Sequence, residues 1–93
     1  MIFQAKKKVK EGKVLKVEVD CDEVIRNVRI TGDFFLHPED ILEEIEKSII
    51  GLERNADLET IISNIQRTLS SRDVQMIGIS PESIARLVKE ALG

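Results

Sequence analysis

The chain has 93 residues, 42% of them apolar and 33% charged, with a net charge of −3. That length holds one domain, and that balance of apolar and charged residues excludes a disordered chain. One cysteine (Cys21) and one histidine (His37) exclude an internal disulfide and a closed four-ligand zinc site.

The first strand is predicted over residues 2–10 and ends at the turn signal Glu11-Gly12. A second strand follows over 13–21. There Leu15, Val17, Val19 and Cys21 alternate with Lys16, Glu18 and Asp20, the period of two expected of a half-buried strand. Asp22-Glu23 makes a short turn into a third strand over 24–32. In that strand Val24, Val28 and Ile30 alternate with polar residues, and Arg26 interrupts the apolar side. Short turns between all three strands imply an antiparallel meander.

Helical spacing begins after His37. Pro38 suits a first helical position and Glu39-Asp40 suit the positive end of the helix dipole. Ile41, Ile45 and Ile49 form the apolar stripe, and Gly51 is placed to end the helix. A second helix is predicted over 56–69, capped by Asn55 or Asp57, with Leu58, Ile61, Ile62, Ile65 and Leu69 as its stripe. Residues 74–79 are apolar and are read as a buried connection that ends in a turn at Gly78. Ser80-Pro81-Glu82 starts a third helix. The chain is therefore expected to be a single α+β domain, with a sheet half (1–33), a helical half (38–93) and the helices on one face of the sheet.

Charge is unevenly spread. Residues 1–19 carry six lysines against Glu11 and Glu18, and the remainder is net acidic. Such a basic edge either docks a partner of complementary charge or guards an exposed strand against edge-to-edge pairing. The lysines have no interleaved aromatics and the whole chain is acidic, so nucleic acid is not expected as a partner. No apolar stretch is long enough for a membrane span. The start, MIFQAKKK, has no signal-peptide pattern, so a cytoplasmic protein is expected.

The usual signs of catalysis are missing. The five glycines fall outside any phosphate-binding spacing. Glu39, Glu43 and Glu46 recur at helical spacing and are read as a solvated acidic face. Asp33 is expected to accept hydrogen bonds from backbone N–H groups where the strand ends, or to contact a partner. His37 is placed as a capping, turn or interface residue. Cys21, flanked by Asp20, Asp22 and Glu23, is read as a buried structural thiol. The adjacent Phe34 and Phe35 are two of only three aromatic residues of the Phe, Tyr and Trp class. Neighbours in extended chain point to opposite sides. One Phe can therefore anchor the helices while the other faces a partner; the other possibility is that both lie in a wrapped core.

The stretch GKVLKVEVDCDEVIRNVRITGDFFLHPEDILEEIEKSIIG, with Ile30, Thr31, Gly32, Asp33, Phe34 and Phe35 as its centre, resembles the C-terminal accessory domain of lipoate–protein ligases. The later GISPESIARLV is similar to the last helix of that family. The likeness covers nearly the whole chain. It implies a stand-alone small subunit of a two-part ligase of the archaeal kind, forming a heterodimer with a large catalytic subunit. The implied reaction joins ATP and lipoate as lipoyl-adenylate and then moves the lipoyl group to a carrier-domain lysine. ATP, magnesium and lipoate are expected on the large subunit, with no cofactor, metal or catalytic residue in this chain. Thr31, Gly32, Asp33, Phe34, Phe35 and His37 are the candidate interface. The implied fold is shared with iron–sulfur scaffold and sulfur-acceptor proteins, so an acceptor or assembly adaptor using Cys21 is the competing function.

Overall fold

The computed structural model describes all residues, Met1–Gly93. Strands β1 (Ile2–Lys8), β2 (Val14–Cys21) and β3 (Ile25–Gly32) form an antiparallel sheet in the order β1-β2-β3. The period-two pattern decides its two faces. Leu15, Val17, Val19 and Cys21 of β2 are fully buried, with Val28 and Ile30 of β3 beside them. Val17 faces Ile30 and Val19 faces Val28 across the ladder. Arg26 does not break the pattern. Cys21 pairs with Ile25 and Asp20 with Asn27, so Arg26 is the extra residue of a β-bulge and turns outward. There its guanidinium pairs with Asp22 at 3.1 Å.

Helices α1 (Ile41–Ile49), α2 (Leu58–Ser70) and α3 (Pro81–Leu92) supply the other layer. α1 lies over β3, α3 over β1 and β2, and α2 packs against α1 and α3. Ile41, Ile45 and Ile49 are fully buried, as are Ile61 and Ile65 of α2 and Ile84, Ala85 and Val88 of α3 to within a percent. Of the two proposed caps of α2, Asp57 is the one used, accepting from the Thr60 N–H at 2.8 Å. Ser80 caps α3 through a reciprocal pair of bonds with Ser83, and Pro81 follows directly.

Three expectations are corrected. α1 begins at Ile41, and Pro38 lies in the preceding turn, its carbonyl accepting from the Ile41 N–H at 3.1 Å. Glu46 is not part of a solvated face. Its carboxylate is half-buried and accepts the Ile30 N–H at 2.7 Å, which satisfies a donor on the free edge of β3. Lower on the same edge, residues 51–52 add backbone bonds to Ile25. Finally, residues 74–79 are not a buried connection. Gln75–Ile77 forms strand β5, which pairs antiparallel with strand β4 (Phe35–His37) as a separate two-stranded ribbon. Three residues are too few for a period to show, and the partner lies about forty positions away in sequence.

Candidate docking face

The GDFF segment is shaped by a close approach. A Cβ at Gly32 (φ +156°) would collide with the Val14 carbonyl oxygen and with the Phe34 ring. Only glycine lets the chain turn there with the ring folded back. Asp33 then clamps the loop to the start of β2: its Oδ1 accepts the Val14 N–H at 2.8 Å, and its own N–H donates to the Val14 carbonyl at 3.3 Å. That is the backbone-bonding role expected of Asp33, directed at β2.

With the turn set, the two phenylalanines part. Phe34 is half-buried against the core, and Phe35 is 52% exposed on the ribbon. Across the ribbon Phe35 faces Ile77, itself 48% exposed. The next pair, Leu36 and Met76, turns inward. His37 lies outside beside Phe35, its ring parallel to within 4° and 6.5 Å away. Beside Phe35, between β3, β4 and α1, is a groove of about 380 Å³ lined by Ile30, Thr31, Phe34, Leu36, Glu39 and Leu42 among others.

The structure therefore brings Thr31, Gly32, Phe34 and Phe35 to one groove, with Asp33 bracing it from the side and His37 stacked outside it. Ile77 and Leu42 were missed by the sequence reading. Leu42 was read with the apolar stripe of the first helix; it does pack against the core, and it also lines the groove. Ile77 gave no signal, because its role depends on pairing with Phe35.

Other regions offer less. A larger cavity of about 620 Å³ lies near the chain end, lined by Glu53, Arg54, Asn55 and Lys89 among others. Its cations are already engaged: Arg54 sits 4.6 Å over the Phe3 ring, and the Lys89 ammonium donates to the Ala56 carbonyl at 2.7 Å. No three of the His, Cys, Asp and Glu side chains gather as a metal ion would require. The displaced acidities also lie in structural contacts. Arg26 holds Asp22 below the usual aspartate range, Thr60 does so for Asp57, and Arg86 lowers Glu82. Asp40 and Glu44 raise the Arg72 guanidinium further and tie the end of α2 to α1. Cys21 is fully buried, its thiol donating to the Asp22 carbonyl at 3.4 Å. A sulfur acceptor needs a thiolate its donor can reach, so this geometry does not favour that reading.

A three-stranded antiparallel meander under three helices, with an exposed apolar ribbon at the strand–helix junction, defines a small α+β domain. The profile of the family described as "Bacterial lipoate protein ligase C-terminus" matches residues 2–87, and the chain belongs to that family. Lipoate-protein ligase A subunit 2 of Thermoplasma acidophilum is 29% identical over 90 residues, covering 96% of this chain and 89% of its own length. A chain in the solved structure of an archaeal lipoylation system, a bi-partite lipoate protein ligase and its E2 lipoyl domain from the same organism, superposes with a TM-score of 0.76. It is 27% identical, and the match covers 95% of this chain and 94% of that one. No helix here is long and apolar enough to cross a membrane.

Proposed function

We propose that this chain is the accessory small subunit of an ATP-dependent lipoate–protein ligase of two parts, acting in the cytoplasm as a heterodimer with a larger catalytic subunit. ATP, magnesium and lipoate bind on that larger subunit, which forms lipoyl-adenylate and serves lipoyl carrier domains. The observation that carries this reading is the exposed Phe35–Ile77 pair beside the apolar groove, in a chain whose relatives are parts of such a ligase. An exposed aromatic held on a rigid element and bordered by a groove is a typical interface anchor.

The accessory chain acts through binding. It shifts its partner toward the state that encloses ATP and lipoate by binding that state more tightly than the alternative. The test is reconstitution: the larger subunit is assayed for lipoate-dependent pyrophosphate release with and without this chain. Adenylation is expected only with both, and equal activity of the larger subunit alone overturns the reading. Within the complex, Phe35→Ala is expected to weaken binding by about 30-fold, the loss typical of an interface anchor, while the free chain keeps its melting temperature.

A further inference from the structure

The basic edge and the apolar ribbon are parts of one surface. On β1, Phe3 and Ala5 pack toward the helices, so Gln4, Lys6 and Lys8 stand on the open face of the sheet. Lys7, on the helix side, pairs with Glu90 of α3 at 3.3 Å. On the open face Lys6 lies directly opposite Lys16, and Lys16 lies opposite Thr31, which lines the groove. Lys8 lies opposite Val14, the residue Asp33 clamps. From the other side, the stem of Lys13 lies across Gly78, next to Ile77: a Cβ on Gly78 (φ +88°) would collide with the Lys13 side chain. Lys16 and Lys13 thus stand next to Thr31 and Gly78, which flank the Phe35–Ile77 pair and its groove, and Lys6 and Lys8 extend the arc outward across the open face.

This arc is costly for the fold alone. Like charges directly opposite on neighbouring strands destabilise a sheet. Lys16 has only a half-exposed contact with Glu18 at 3.3 Å, and Lys6, Lys8 and Lys13 make no ion pair. Guarding an edge accounts for Lys6 and Lys8 on the outer strand β1. It does not account for Lys16 on the central strand or Lys13 in the turn. The absence of any aromatic on this open face makes a nucleic acid a poor fit.

We propose that the surface receiving Phe35 and Ile77 is an apolar pocket bordered by carboxylates, and that Lys6, Lys13 and Lys16 steer the chain onto it. This rests on the larger ligase subunit being the partner. The association and dissociation rates of that complex are measured from low to high salt for the wild type, Lys6→Gln/Lys16→Gln, Phe35→Ala, and the control Lys47→Gln/Arg67→Gln, which removes equal charge from exposed helical positions. The wild-type association rate is expected to fall about tenfold or more as salt rises. The Lys6/Lys16 variant should associate several-fold more slowly at low salt, match the wild type at high salt, and melt no lower than the wild type. Phe35→Ala should instead speed dissociation and keep the salt dependence, and the control should behave as wild type. A salt-independent rate overturns the inference and leaves the docking role standing. So does an equal loss in the control, or lysine variants that lose only nucleic-acid binding. Failure to form any complex overturns both.

Discussion

The protein contains two β-sheets that treat their apolar residues in opposite ways. In the three-stranded sheet, every second residue of β2 from Leu15 to Cys21 is fully buried beneath the helices. In the ribbon of β4 and β5, the inward pair Leu36–Met76 meets the core while the facing pair Phe35–Ile77 is left about half exposed. The alternation is the same and each sheet has one covered face; what differs is that the open face of the large sheet carries mainly polar and charged residues, while that of the ribbon carries Phe35 and Ile77. The large sheet invests its apolar face in folding. The ribbon uses one face for folding and holds the other at the surface, where a partner can bury it. On the proposed docking role, stability and docking reside in different residues, and substitutions should separate them.

The largest effect is expected in the interior. Ile45→Ala removes a fully buried side chain of α1 and should cost about 2–5 kcal/mol, a large part of the roughly 5–15 kcal/mol available to a domain. Denaturant unfolding measures it, and the refolded fraction should still bind its partner with unchanged affinity. A loss of affinity per folded molecule would break the division between the two sheets.

Glu46→Ala should cost less, about 1–3 kcal/mol, because it leaves the Ile30 N–H without its acceptor. Glu46→Gln keeps a carbonyl oxygen at that place and should recover most of the loss. If both variants melt alike, the charge and not the hydrogen bond is what holds α1 to β3.

Ile77→Ala sharpens the comparison from the other side. Stability should change by no more than about 0.5 kcal/mol, as for an exposed position, while affinity for the partner falls. Equal losses of both would place Ile77 in the fold and not on the docking face.

The smallest effect appears only in acid. The Thr60 hydroxyl and backbone N–H bonds to Asp57 hold its carboxyl below the ordinary aspartate value. A carboxyl whose pKa is lowered by folding stabilises fully above its unfolded value, and that contribution is lost as pH falls through the folded value. Asp57→Asn keeps a capping side chain but cannot titrate. Melting temperatures of the two proteins should therefore differ by a constant amount near neutrality and converge below about pH 4.

Much of this was legible in the residues themselves. The alternation of β2, the isoleucine stripe of α1 and the Ser80-Pro81 start of α3 are local patterns, and each predicted strand and helix exists, with α1 starting later than expected. The candidate site was legible in part. Gly32, Asp33 and the Phe pair were identified as the junction, but their neighbours across space were not. Arg26 looked like a flaw in a strand and is the outward residue of a bulge, because a bulge is defined by the register of two strands. Glu46 looked solvated because helical spacing says which residues share a face and nothing about a free N–H on a neighbouring strand.

The sequence by itself determined the α+β class, the order of its main elements, the separation of basic and acidic regions and the likeness to a ligase accessory domain. Each of these rests on periodicity, capping or a contiguous motif, and so on interactions among near neighbours in the chain. Only the tertiary structure decided which phenylalanine faces outward, that Ile77 stands opposite it, and that Lys16 and Lys13 lie next to the residues flanking that pair. Those facts depend on contacts between segments tens of residues apart, fixed by how the sheet and helices pack, and no local pattern records them.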